Sequence, residues 1–206
     1  MSAVETKVFR ETWDVDRRLS ELRLTRDGLL KVVAVALAEA ANATPLHPAN
    51  AAGTFAYQHG SWSLRDQFTG PDWIVDRQDG VESIRCDALK VRVAFCNVDV
   101  ACSDDQIPKP RSRKGAGAER AAGSPGLFGA GALPHFAPPP KDGWALYYLM
   151  IDENGAAELT RPHVRAGTFV GAFERLYLSF GGEGGAVMPI EDGGVADGFD
   201  PQIARK

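Results

Sequence analysis

Residues 72–102 read DWIVDRQDGVESIRCDALKVRVAFCNVDVAC, and within them the hydrophobic spacing changes from a helical period to a period of two. Leu89, Val91, Val93 and Phe95 alternate with Lys90 and Arg92, the pattern of a strand with one buried face. Trp73 and Val75, then Val81 and Ile84, mark shorter strands on either side of Asp79-Gly80, a dipeptide suited to a hairpin turn. Helices come first in the chain and strands later. That order predicts an α+β fold, an antiparallel sheet packed on a buried helix, rather than alternating βα units.

The upstream residues supply the helices. In DVDRRLSELRL, residues 14–24, Val15, Leu19 and Leu22 lie at helical spacing, with Asp14 as candidate N-cap. A second helix starts after Thr25 and stops at Asn42, ahead of Pro45; Leu29, Leu30, Val33, Leu37 and Ala40 share one face. Valine and alanine on its other side predict burial over much of its circumference. PLHPANAAGTFAYQHG holds two prolines and two glycines and reads as an irregular loop. Ser63 and Asp66 follow in capping-box spacing, which predicts a short helix starting there.

Downstream, WALYYLMIDENGAAELTRP predicts a hairpin: a strand over 144–151, a turn at Asn154-Gly155, and a return strand over 157–161 stopped by Pro162. Phe169, Phe173 and Leu176 stand four and three apart, so residues 167–177 are expected to be helical.

At 206 residues, with 44% hydrophobic and 24% charged residues, the chain has the composition of one folded domain. No apolar run reaches the ~18 residues of a membrane span, and the start shows no export signal. Three cysteines, Cys86, Cys96 and Cys102, make an odd set that suits reduced thiols and a cytoplasmic location. Residues 103–143, rich in proline and glycine, are expected to form a long flexible basic loop. Residues 181–206 read as a mobile acidic tail, with five carboxylates and no basic residue over 181–200.

The net charge of -4 excludes a protein that coats nucleic acid with its whole surface, but not one with a local basic patch. Such a patch is PKPRSRKGAGAER, residues 108–120. Lys109, Arg111, Arg113, Lys114 and Arg120 can meet phosphates, while Gly115 and Gly117 let backbone amides approach an anion. The stretch matches neither G-x-x-x-x-G-K-S/T nor G-x-G-x-x-G. The leading expectation is a non-enzymatic cytoplasmic accessory protein, without cofactor. It would use this loop to bind a polyanionic partner, either nucleic acid or an acidic protein surface. Phe55, Tyr57, Trp62, Phe68 and Trp73 offer either a stacking surface or a lid on the core.

Two other classes compete. Alternation along the long strand carries Asn97 and Asp99 onto its buried face, unless a bulge near Cys96 turns Val98 and Val100 inward and leaves Asp99 to cap. On the first reading, Asp99 with Asp76, Glu82 or Asp87 would hold Mg or Mn in a metal-dependent nuclease or phosphodiesterase. Asp104 and Asp105 are further oxygen ligands and Lys90 a charge stabiliser. No D…E-x-K spacing supports it, since Asp87 and Lys90 fall on opposite faces of a strand. Cys96 or Cys102 with His59 or His135 would make a nucleophile and base. The third class is a protein inhibitor or assembly factor acting through protein–protein binding.

Overall fold

In the computed structural model, which describes residues 6–122 and 143–182, the change of period near residue 73 separates a helical layer from most of a sheet. Helix α1 (Thr12–Glu21) buries Val15 and Leu19; its N-cap is Glu11, and Asp14 sits in the first turn, where its charge faces the amide end of the dipole. Helix α2 (Arg26–Ala41) lies where its caps place it. The Thr25 hydroxyl accepts from the Gly28 amide at 3.2 Å, and Asn42 closes the other end.

Helix α3 (Ala51–Phe68) replaces the expected loop and short helix. Pro45 and Pro48 precede it and do not interrupt it. Gly60 serves packing: a Cβ there would stand 2.5 Å from the ring of Phe95, so the helix can lie this close to the sheet only at a glycine. Ser63 is therefore a buried mid-helix residue and caps nothing.

The strands are β1 (Lys7–Phe9), β2 (Ile74–Asp76), β3 (Ser83–Cys86), β4 (Val91–Asn97), β5 (Ala145–Ile151), β6 (Ala156–Arg165) and β7 (Thr168–Phe180). They form one seven-stranded sheet in the order β1-β7-β6-β5-β4-β3-β2. The fold is α+β, but the sheet is mixed and not antiparallel, because β1 runs parallel to β7 and β4 parallel to β5. Parallel neighbours cannot be joined by a hairpin, so residues 98–144 act as a crossover between β4 and β5. The turn at Asp79-Gly80 forms as expected, with φ of 59° and 70°.

Two expectations at the end of the chain are corrected. Residues 168–180 are a strand: Leu176 and Leu178 face the helices, while Arg175 and Tyr177 face the other way, a period of two. Pro162 does not stop β6. The ladder shifts register between Arg161 and Pro162, so the missing amide falls at an irregularity.

Both faces of the sheet are buried. Helices α1 to α3 cover one, where Leu19, Leu29, Leu64, Phe95, Leu149 and Leu176 pack together. The crossover covers the other, with Ala118 and Ala121 of α4 (Ala116–Ala121) set against Ala94, Cys96, Leu146, Tyr148 and Phe169. Strand β4 therefore has no solvent face. Arg92 is 4% exposed, pairs with Asp76 and Asp79, and lies against Trp144. The acidic tail from 183 and the second half of the long loop, 123–142, lie outside the described residues. No helix among the described residues is long and apolar enough to cross a membrane.

Candidate functional site

The first half of the crossover is held by carboxylates that accept its amides. Val98 is fully buried against the crossover face and β4 pairs with β5 without a bulge, so Asn97 faces the helices and donates to the Gly53 carbonyl at 2.7 Å. Asp99 is exposed, and its Oδ1 accepts from Val100 and Lys109 at 2.8 and 2.7 Å. The capping geometry thus arises without the bulge. Asp152 accepts from Ala101 at 3.2 Å. Glu158, fully buried, accepts from the Cys102 amide at 2.6 Å, from the Thr160 hydroxyl at 2.6 Å and from Arg175 through two nitrogens.

Arg175 also donates to the Ser103 carbonyl at 2.6 Å. Asp104 pairs with Arg10 at 2.6 Å and accepts from Tyr177; the Arg10 guanidinium, then Tyr177, hold its carboxyl below the ordinary range. Asp105 beside it is exposed. A cavity of about 160 Å³ lies between this segment, β1 and β7. Of its polar lining, Thr6, Arg10, Asp104, Thr160 and Arg175 are engaged within the protein.

The carboxylates considered as metal ligands are dispersed. Asp76 is buried on β2, accepts from Ser83 at 3.0 Å and faces Arg85 and Arg92. Its pairing partner Ser83 stands opposite Ala94, so Asp99 is two strands across and five residues along, on the order of 15–20 Å away. Glu82 pairs with Arg65 and Arg77, and the Arg65 hydrogen bond holds its carboxyl below the ordinary range. Lys90 is exposed at the β3–β4 turn. Among the described residues no group of three or more His, Cys, Asp or Glu is placed to hold a metal ion.

The two thiols considered as nucleophiles, Cys96 and Cys102, are held in their protonated form. Burial pushes Cys96 up, and burial with the nearby Glu158 charge pushes Cys102 up to about 12. His59 faces Glu39 at 3.7 Å, and His135 lies outside the described residues.

The five cations of the basic loop divide into three groups. Arg111 pairs with Glu153 at 2.7 Å and donates to the Val98 carbonyl, and Arg120 stands 3.7 Å from Asp79. Lys114 lies 5.1 Å above the Tyr148 ring and 6.0 Å above that of Phe169. Lys109 and Arg113 are exposed, and neither has an ion-pair partner among the described residues. Gly117 serves close approach: a Cβ there would stand 1.7 Å from the Asp79 carbonyl oxygen. Gly115 is the exposed N-cap of α4, with open space around it.

This loop meets the tip of the β6–β7 hairpin. The Lys114 amide donates to the Gly167 carbonyl at 2.9 Å, and the Gly167 amide to Glu119 at 2.7 Å. Ala166 and Gly167 make the turn, with φ of 52° and 78°. Strand β5 pairs with β6 only as far as Thr160, and β1 with β7 only over residues 174–176. Among the described residues, the pairing within the 161–173 ribbon therefore continues past both neighbouring ladders, with the Ala172 carbonyl accepting from the Thr6 hydroxyl at 2.8 Å and Val164, Gly167 and Phe169 buried.

The ribbon reads RPHVRAGTFVGAF and contains no carboxylate. Arg161 lies 4.6 Å over the Phe173 ring and His163 stacks on the same ring at 3.7 Å, while Arg165 is exposed with no ion pair among the described residues. Burial, then the charge of Arg161, hold His163 below the ordinary imidazole value. Lys109, Arg113, Lys114, Arg161 and Arg165 thus occupy one loop-and-ribbon unit. Ending the strand at Pro162 hides the last two. The visible signal is the absence of any acidic residue between Glu158 and Glu174. Comparison with protein-family models, with curated proteins and with solved structures finds no match.

Proposed function

We propose that this chain is a cytoplasmic accessory protein that binds a polyanion, without transforming it, through the 109–115 loop and the 161–173 ribbon. The observation that carries the reading is charge segregation. Two segments hydrogen-bonded through Lys114 and Gly167 hold five cations that lack carboxylate partners among the described residues. Neither 106–118 nor 161–173 contains an acidic residue. In a chain of net charge -4 such a surface draws anions locally while the remainder repels them.

The test is binding of a labelled nucleic-acid fragment, with heparin as a generic competitor, at two salt concentrations. Four phosphate contacts imply a slope of about -3.6 in log K against log salt. That is roughly a 100-fold loss of affinity between 50 and 200 mM. Absent binding at low salt, or binding that salt leaves unchanged, overturns the reading.

A further inference from the structure

We infer that the carboxylates of residues 183–200 cover this basic surface in the free protein, so that a polyanion competes with the chain's own tail. The inference concerns regulation of the site proposed above and, for the competition, rests on that reading. Charge supplies the first argument. Residues 183–200 hold Glu183, Glu191, Asp192, Asp197 and Asp200 with no basic residue, and they lie outside the described residues. The receiving surface is complementary: Lys109, Arg113 and Arg165 are exposed, and none has an ion pair among the described residues. Several other arginines are already engaged, Arg10 with Asp104, Arg23 with Asp72 and Arg65 with Glu82.

Reach supplies the second. The Gly182 amide donates to the Asn154 carbonyl at 3.2 Å, next to Glu153, which pairs with Arg111 of the basic loop at 2.7 Å. From Gly182 to Arg111 is thus one hydrogen bond, one peptide unit and one ion pair, on the order of 15–20 Å. Lys109 and Arg113 stand two residues to either side. A coil of eighteen residues, five of them glycine, spans about 21–25 Å root-mean-square and about 60 Å when extended. Span and separation match, the condition under which a tether supplies a local concentration in the millimolar range. Exposed ion pairs too weak to join separate molecules are populated at that concentration.

Helix α2 offers a control at similar reach. A Cβ on Gly155 would stand 3.3 Å from Leu37, and the exposed Lys31 lies six residues, about 9 Å, along that helix. Lys31 shares α2 with Asp27 and Glu39, whereas Lys109 has no acidic residue between Asp105 and Glu119. A tail that merely wanders reaches both lysines.

The experiment joins carboxylates to lysines with a zero-length carbodiimide in the dilute full chain and maps the links by mass spectrometry. At low salt Lys109 should be linked to the 183–200 carboxylates at least 5-fold more than Lys31. The excess should vanish near about 0.5 M salt, where the Debye length is roughly 4 Å. In parallel, fluorescence anisotropy compares the full chain with a variant carrying Glu183→Gln, Glu191→Gln, Asp192→Asn, Asp197→Asn and Asp200→Asn, its fold checked by melting temperature. The variant should bind the labelled nucleic-acid fragment about 3- to 10-fold tighter at about 50 mM salt, and less than about 2-fold tighter at about 200 mM.

Equal linking of Lys109 and Lys31, or a Lys109 excess that salt leaves unchanged, overturns the inference. So does equal affinity of the two chains, which leaves the polyanion reading standing. Tighter binding by the variant without the Lys109 excess overturns it too, because the change of net charge from -4 to +1 then suffices. If neither chain binds nucleic acid or heparin while the Lys109 excess persists, the polyanion reading falls and the tail contact stands.

Discussion

Replacing Arg175 by methionine should destabilise the protein more than any surface change, and the structure supplies the size of the effect. Glu158 is fully buried, and the Arg175 side chain is 6% exposed with its Nη2 2.6 Å from the carboxylate. Arg175→Met keeps most of the side-chain volume but leaves Glu158 with only the Cys102 amide and the Thr160 hydroxyl. Removing one partner of a buried pair costs about 3–5 kcal/mol, because the remaining charge is uncompensated. The substitution also frees the Ser103 carbonyl, which Arg175 holds at 2.6 Å.

Against a total of roughly 5–15 kcal/mol, such a loss should lower the melting temperature by about 6–20 °C. In urea the midpoint should fall by roughly 2 M at an m-value of ~2 kcal/mol/M. The double variant Arg175→Met/Glu158→Gln removes the stranded charge and keeps an amide oxygen for Cys102. It should be more stable than the single variant, by about 1–3 kcal/mol. A single-variant loss below ~1 kcal/mol, or a double variant no better than the single, would refute the assignment of this pair as the clamp on the crossover.

Further outcomes are expected. Gly117→Ala should cost about 1–3 kcal/mol, since its Cβ would stand 1.7 Å from the Asp79 carbonyl oxygen, although alanine is the better helix former. Gly115→Ala, with open space around it and φ of -72°, should stay within about 0.5 kcal/mol in the same thermal melts. Cys102, pushed up to about 12, should be alkylated at pH 8 with only ~10⁻⁴ of the thiol ionised and so more than 100-fold more slowly than in urea, which mass spectrometry after timed quenching would show. His163 lies below its ordinary value in the folded state, so the unfolded chain takes up the proton first: stability should fall as pH drops below about 6.5, and His163→Gln should remove that part of the slope in urea titrations.

The elements legible in the sequence are those fixed by local chemistry. Thr25 and Asn42 bound α2 because a cap acts within four residues of itself. Asp79-Gly80 and Asn154-Gly155 mark their turns because positive φ at Asp79, Gly80 and Gly155 is a property of single residues. What escaped depends on distant partners. Gly60 reads as a helix breaker until Phe95, 35 residues away, is found against it. The spacing of Phe169, Phe173 and Leu176 imitates a helix, and only β1 and β6 on either side make it a strand. The basic loop was visible as charge density. Which of its cations remain free was not, because Glu153, Asp79 and Tyr148 decide it from other parts of the fold.

The parallel pairing of β4 with β5 links these observations. A parallel pair needs a crossover, commonly a helix that satisfies its own amides. Here the described part of the crossover has one six-residue helix, and the rest is irregular backbone laid on an apolar sheet face. Its amides need acceptors, and Asp99, Asp152 and Glu158 provide them at Val100, Lys109, Ala101 and Cys102. Carboxylates are thereby drawn into the architecture, and Lys109, Arg113 and Arg165 are left at the margin without them. Stability and binding should then separate. Lys109→Glu/Arg113→Glu should change stability by no more than about 0.5 kcal/mol, as exposed substitutions do, while abolishing polyanion binding at moderate salt. Asp99→Ala should do the reverse: a loss of about 0.5–2 kcal/mol, comparable with loss of a cap, and little change in low-salt affinity. Urea titration and anisotropy on the same samples decide it. If the charge-reversed pair bound normally, or Asp99→Ala removed binding while the fold held, the division of labour between the crossover and its margin would be wrong.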